Sequence, residues 1–287
     1  MEGVIAAVPT PVDSAGKPLR AAFVEHGRWA LANGCDGLNI LGSTGEANSF
    51  DAATRREVMG WARDACPVDK LMVGTGTPSL SETIALTRAA DDLGYGVALV
   101  LPPYYYKPLS DEGLTAWYMA LHDALGNRAI QIYFYNFPQM TGLRIPVSVI
   151  ADLSRSAPGR FTGIKDSSGD LDYARAIVAE NAALRVFPSS ETVLQHARAD
   201  GFSGCISATV NVTAPLCAQV WRGDAPADVV EIIARQRAAM AGPSLIAGVK
   251  HMVGDRTGNA TWRNVLPPFL PLHNDAARDL ETALTGP

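Results

Sequence analysis

Lys165 closes the apolar, β-branched run Phe161-Thr162-Gly163-Ile164 and is followed by Asp-Ser-Ser-Gly. Of the five lysines in the chain, only this one ends a strand-like run. An ammonium group held there gives up hydration, which favours the neutral amine and makes it nucleophilic at neutral pH. The plain alternative is a strand-end lysine whose head reaches water. Tyr135 ends the preceding strand-like run. Neighbouring parallel strands lie about 4.8 Å apart, so the two run ends can bring a phenol near an amine, where it can relay protons. Packing is the plain role for a tyrosine there, as for Tyr133 and Phe134. A third feature is "GSTGE", residues 42–46, with two hydroxyls between glycines at a strand-to-helix turn. The backbone N–H groups and hydroxyls of Ser43 and Thr44 can hold a carboxylate. Glu46 can cap or brace that loop.

Positioning these groups requires a scaffold of buried parallel strands. Eight short apolar runs without strict alternation fall at residues 4–8, 37–41, 71–74, 97–101, 130–135, 161–165, 185–187 and 204–207. Strands covered on both faces read this way. Helical patterns lie between them at 20–32, 52–65, 80–93, 111–125, 147–155, 171–180 and 192–199. Ser79 with Glu82, and Ser110 with Asp111 and Glu112, mark helix starts. Gly34, Gly94 and Gly201 mark helix ends. Eight βα units in series predict an α/β fold, a (β/α)8 TIM barrel, with its active site at the C-terminal strand ends. The rival is an open doubly wound sheet, but no G-x-G-x-x-G opens a helix after the first strand, and "GTGTPS" at 74–79 has the wrong spacing. From residue 213 on the patterns are all helical, at 213–222, 227–241, 244–253 and 275–285. The first of these can serve as the eighth barrel helix. The expected division is a barrel over 1–222 and a C-terminal helical extension over 223–287.

Composition narrows the function further. A chain of 287 residues that is 47% hydrophobic can build one large core. A net charge of −5 gives no reason to expect nucleic acid or an acidic lipid surface as a partner. Cys35, Cys66, Cys205 and Cys217 form no C-x-x-C pair and read as reduced core thiols of a cytoplasmic protein. The N-terminus lacks the basic and apolar regions of a signal peptide, and no apolar run is long enough to span a membrane. Two N-x-T patterns, at Asn211 and Asn259, would go unused in a chain that is not secreted. The five histidines fall mostly in helical patterns, with neither H-x-H nor H-E-x-x-H, so no metal site is expected. No G-x-S-x-G elbow supports a serine hydrolase.

Taken together, "TPVD" near the N-terminus, "GSTGE" after the second strand, "PPYYYKP" after the fourth, "YNFP" after the fifth and "GIKDSSGD" at the sixth resemble the dihydrodipicolinate synthase / N-acetylneuraminate lyase family. The resemblance covers essentially the whole chain, and the order and spacing of the motifs are specific. It implies a pyruvate-dependent class I aldolase that needs no cofactor. Lys165 would form an imine with the C2 carbonyl of pyruvate or of a 2-oxo acid that yields it. Tyr135 would shuttle protons, and Ser43 and Thr44 would bind the pyruvate carboxylate. Ser43 would also link Tyr135 to a second tyrosine. That tyrosine aligns with Tyr105, which the family often supplies across a tight dimer interface. Ile206 matches the position on the eighth strand whose backbone lines the site. The family also implies a homotetramer built as a dimer of dimers.

Departures from the family pattern point to a branch. Synthases usually carry an arginine after "YN" that holds the carboxylate of aspartate semialdehyde; here the position is Met140, which cannot pair with a carboxylate. Ser43 in "GSTGE" matches the lyase form. Ser167 and Glu191 fall where lyases bind sugar hydroxyls. Ser190 and Pro188 stand where neuraminate lyases carry aspartate and glycine, which argues against sialic acid. The preferred substrate is therefore a 2-keto-3-deoxy sugar acid or a similar 2-oxo acid, made from or cleaved to pyruvate and an aldehyde. The alternatives are a true dihydrodipicolinate synthase using another cation, with Lys107 and Arg144 nearby in sequence, a Schiff-base dehydratase or deaminase, and a non-catalytic sensor or scaffold.

Overall fold

The computed structural model describes residues 1–242 and 244–285. Pro243 and the last two residues of the expected extension lie outside the described residues. Eight strands carry the molecule: β1 (Gly3–Ala7), β2 (Gly37–Ile40), β3 (Leu71–Gly74), β4 (Val97–Val100), β5 (Gln131–Asn136), β6 (Phe161–Asp166), β7 (Arg185–Pro188) and β8 (Gly204–Ser207). They form one parallel sheet in the order β7-β6-β5-β4-β3-β2-β1-β8. The Ser203 N–H donates to the Val186 carbonyl (2.9 Å) where β7 and β8 meet, so the sheet curls into a nearly closed barrel. Eight helices surround or follow the strands: α1 (Arg20–Ala32), α2 (Ala52–Ala65), α3 (Leu80–Asp92), α4 (Asp111–Leu125), the short α5 (Pro138–Thr141), α6 (Val147–Ser156), α7 (Leu171–Glu180) and α8 (Val210–Arg222). Three more come after them, α9 (Val229–Met240), α10 (Leu245–Thr257) and α11 (Asn274–Thr285). The fold is the (β/α)8 barrel with C-terminal helices that the sequence predicts.

Each strand is buried on both faces, which explains why none alternates in polarity. One face packs against the helices through side chains such as Val4, Ile40, Phe134 and Ile164. The other fills the barrel with Ile5, Leu99, Tyr133, Tyr135, Phe187 and Ile206. Helix starts follow local chemistry. The Ser79 and Ser110 hydroxyls accept the Glu82 and Gly113 N–H groups, and the Asp170 carboxylate accepts from Asp172 and Tyr173.

Residues 192–199 do not form the predicted helix. A single 3-10 turn, Glu191–Val193, opens the segment, and the bonds that follow mostly span three residues, as in His196 N–H to the Val193 carbonyl. The competing demand is Glu191, whose carboxylate is drawn inward by Ser207, Thr209 and Thr213. The eighth barrel helix also begins earlier than its apolar pattern suggests, at Val210. That start buries Asn211, which donates to the Ala7 and Ala208 carbonyls (2.7 Å each).

Asn211 also fixes a buried histidine. With both its amide hydrogens committed, its Oδ1 accepts from His26 Nε2 (2.8 Å), and His26 Nδ1 accepts from Arg256 on α10 (2.8 Å). The imidazole is therefore neutral, and it lies against Trp29 and Trp262. Burial first, and the Arg256 charge after it, lower the His26 pKa to about 4 against the opposing Asn211 hydrogen bond. The unfolded chain binds this proton near pH 6.5, so unfolding takes up a proton between those values. The contribution is full above pH 6.5 and is lost as pH falls toward 4, by about 3 kcal/mol. Urea unfolding from pH 7 to pH 4 should therefore show a steeper loss of stability in the native protein than in His26→Gln; parallel curves would contradict this.

Candidate active site

Parity along β6 places Lys165. At the start of the β5–β6 ladder Ile132 lies opposite Phe161, but the next pair is Tyr133 with Gly163, so β6 carries one extra residue at Thr162. Phe161 packs outward among the helices. After the irregularity the alternation is reversed, Ile164 faces the helices, and Lys165 stands opposite both Tyr135 and Phe187 of the barrel interior. Gly163 is required here, because a Cβ would come within 2.9 Å of the Tyr133 ring and 2.7 Å of the Arg185 carbonyl.

Lys165 is 4% exposed. Its Nζ donates to Tyr135 Oη (3.3 Å) and lies 4.5 Å from the centre of that ring. Tyr135 Oη in turn lies 3.3 Å from Ser43 Oγ. An amine, a phenol and a hydroxyl thus form one hydrogen-bonded line. The Ser43–Thr44 turn is folded by Gly45 and Ala47 N–H groups donating to the Gly42 carbonyl (3.0 and 3.3 Å). It is bounded by two non-glycine residues with positive φ, Leu41 (52°) and Glu46 (54°). Neither the Ser43 nor the Thr44 N–H has a hydrogen-bond partner among the described residues, which leaves a pair of donors for an anion.

These groups line a cavity of about 680 Å³ at the C-terminal strand ends, with Ser167, Met140 and Ile206 also on its wall. The cavity thus joins Lys165, Tyr135, Ser43, Thr44, Ser167, Met140 and Ile206. Two other expected residues are not on it. Glu191 is 1% exposed and sits beneath the surface, with its carboxylate fully engaged. Tyr105 is 74% exposed and packs edge-on against Tyr106, so a single chain does not bring it to Ser43. Lys107 and Arg144 are likewise committed elsewhere. Lys107 donates to the Thr141 carbonyl (2.9 Å), and Arg144 pairs with Asp170 (2.5 Å) over the Tyr173 ring.

Two C-terminal contributions went unmarked by any sequence motif. Arg237 of α9 lines the cavity, and Lys250 of α10 pairs with Glu46 behind it, both side chains of that pair being fully buried. The second Glu46 oxygen accepts from the Leu266 N–H (2.6 Å). Their signal would have been a charged residue at a helix position otherwise lined with apolar ones. Among the described residues one histidine–carboxylate group stands apart, His251 with Asp255 and Glu281; none of the three lines the cavity, and Asp255 pairs with Arg263 (2.8 Å).

A buried lysine at the end of β6, hydrogen-bonded to a tyrosine at the end of β5, is an arrangement in which an amine can add to a carbonyl beside a proton donor. Comparisons with known proteins agree. The model of the dihydrodipicolinate synthetase family matches residues 1–286, and the chain belongs to that family. It is an enzyme of the class I, lysine Schiff-base lyases and aldolases. It is 32% identical over 288 residues to an uncharacterized DapA-like lyase of Chloroflexus aurantiacus, covering 98% of this chain and 95% of that protein. It is 34% identical over 235 residues to a 4-hydroxy-tetrahydrodipicolinate synthase of Rhodospirillum centenum, covering 80% and 77% respectively. Among solved structures it resembles YagE, a prophage protein of the dihydrodipicolinic acid synthase family from E. coli K12 in complex with pyruvate. That match has a TM-score of 0.89 and 25% identity, over 99% of this chain and 97% of that one.

Removing one partner of the Glu46–Lys250 pair should expose its cost. Lys250→Met leaves a carboxylate buried without its cation, and breaking such a pair typically costs about 3–5 kcal/mol. The double variant Glu46→Gln/Lys250→Met should recover much of that loss in thermal unfolding. If the single variant is as stable as the native protein, the pair is not what holds the loop.

Proposed function

We propose that this chain is a pyruvate-dependent aldolase/lyase acting on a 2-keto-3-deoxy sugar acid or a similar 2-oxo acid. The observation that carries the reading is the line Lys165–Tyr135–Ser43 beside two free N–H donors. Ser43 and Thr44 hold the substrate carboxylate and so aim C2 at Lys165. The amine adds to C2, Tyr135 gives a proton to the carbinolamine oxygen, and water leaves to give a protonated imine. That imine accepts the electron pair released when the C3–C4 bond breaks. The C4 hydroxyl passes its proton to Tyr135 as an aldehyde forms. Reprotonation of C3 and hydrolysis of the imine then release pyruvate and restore Lys165. Ser167 and Ile206 contact the bound acid. Met140 leaves an apolar patch where a synthase places an arginine, and the commitments of Lys107 and Arg144 weigh against their replacing it.

Tyr105 fits this reading if a second copy delivers it to Ser43, within a homotetramer made of tight dimers. Cytoplasmic residence is part of the same proposal; among the described residues no helix is long and apolar enough to cross a membrane. A second reading, condensation of pyruvate with aspartate semialdehyde, is favoured by the name of the 34%-identical relative. Turnover of that pair at the rate of an authentic synthase would replace the first reading.

Borohydride reduction in the presence of pyruvate, followed by peptide mass spectrometry, should find the reduced adduct on Lys165, and Lys165→Met should show none. An unmodified Lys165 peptide in the native enzyme sinks the mechanism. Tyr135→Phe should still be trapped by pyruvate but turn over about 10²–10⁴-fold more slowly. A screen of 2-keto-3-deoxy acids scored for free aldehyde separates cleavage from dehydration, which yields none.

A further inference from the structure

Arg237 is held by one corner. Its Nη1 donates to Glu191 Oε2 (2.9 Å), Ser207 Oγ (3.0 Å) and Thr209 Oγ1 (3.0 Å). Its Nε and Nη2 have no hydrogen-bond partner among the described residues, and the side chain, 30% exposed, lines the same cavity as Lys165. Glu191 beneath it is saturated. One oxygen accepts from Thr209 and Thr213, the other from Ser207 and Arg237. A counter-ion for a buried carboxylate needs no more than a single ammonium. A guanidinium anchored at one nitrogen keeps a planar two-donor edge for something else.

At the Arg237 corner the chemistry is one-sided. Every acceptor of Glu191 is used, and Arg237 offers donors only. A sugar hydroxyl wants both a donor and an acceptor, whereas a carboxylate accepts only and matches a planar edge with two bonds. A cavity of about 680 Å³ also leaves ample room beyond three-carbon pyruvate. We infer that Arg237 binds a second carboxylate, at the end of the substrate far from the imine carbon, so that the preferred substrate is a 2-oxo diacid. Glu191, Ser207 and Thr209 fix the guanidinium. Because Glu191 balances its charge, recognition rests on the two directed N–H bonds more than on the field. This inference rests on the Schiff-base reading above.

The test is the concentration of a 2-oxo acid that gives half-maximal borohydride trapping at Lys165. The probes are 2-oxo acids of five, six and seven carbons, each ending either in a carboxylate or in a hydroxymethyl group. For at least one length, the native enzyme should need about tenfold less of the diacid than of its neutral counterpart. Arg237→Lys keeps the cation over Glu191 but lacks the edge, and Glu191→Gln/Arg237→Met removes both charges together. Both should bring the two probes to within about twofold. Equal affinities at every length in the native enzyme, or a preference that survives both variants, would overturn the assignment. If even pyruvate is not trapped, the Schiff-base reading fails and takes this one with it, an outcome distinct from trapping without preference.

Discussion

The extra residue at Thr162 in β6 is the constraint on which the site depends. Side chains alternate along a strand, so one inserted residue exchanges the two faces for everything that follows. Without it Tyr135 would stand opposite Ile164, and Lys165 would point among the helices. With it the amine enters the barrel opposite Tyr135 and Phe187. The irregularity needs a residue without a side chain next to the Tyr133 ring and the Arg185 carbonyl, which Gly163 supplies. A backbone feature of one residue thus decides whether the lysine enters the cavity or packs among the helices.

The second constraint comes from the C-terminal helices. Among the described residues, three polar links, each with one fully buried partner on the barrel side, join them to the barrel: His26 with Arg256, Glu46 with Lys250, and Glu191 with Arg237. For the fully buried Glu46–Lys250 pair, apolar side chains of equal volume would serve stability as well or better. What the polar links add is direction. Lys250 and the Leu266 N–H grip both oxygens of Glu46, the left-handed residue that ends the Ser43–Thr44 turn. Arg237 reaches the cavity from α9, and Leu245, Ile246 and Phe269 add to the same wall. The helices after residue 222 therefore complete the site as well as cover the barrel.

The sequence made much of this legible. Doubly buried strands read as short apolar runs, and capping residues marked the helix starts at Ser79 and Ser110, because both signals are local. The segment 192–199 misled because its apolar spacing is helical while Glu191 is pulled inward by residues on and after β8. That pull is a long-range tether, and no local pattern reports it. The inversion at Thr162 was invisible for a related reason. A run of buried residues looks the same in either register when both faces are apolar. Lys165 could be singled out at a strand end, yet the face it points to depended on a partner strand thirty residues away.

Imine chemistry and substrate choice also place different demands on a chain. Forming and resolving the imine needs an amine, a phenol and an anion-binding turn within hydrogen-bond reach of one another. Only adjacent strand ends hold such distances, so those residues fall in compact motifs at fixed order. Recognising the far end of the substrate needs a donor at a distance, and any element bordering the cavity can provide it. In this chain the short α5 after β5 carries Met140, and a guanidinium on the cavity wall comes instead from Arg237 of α9, about a hundred residues later in the chain. On the proposed reading, a motif identifies the reaction while its partner is chosen by a residue that no motif contains.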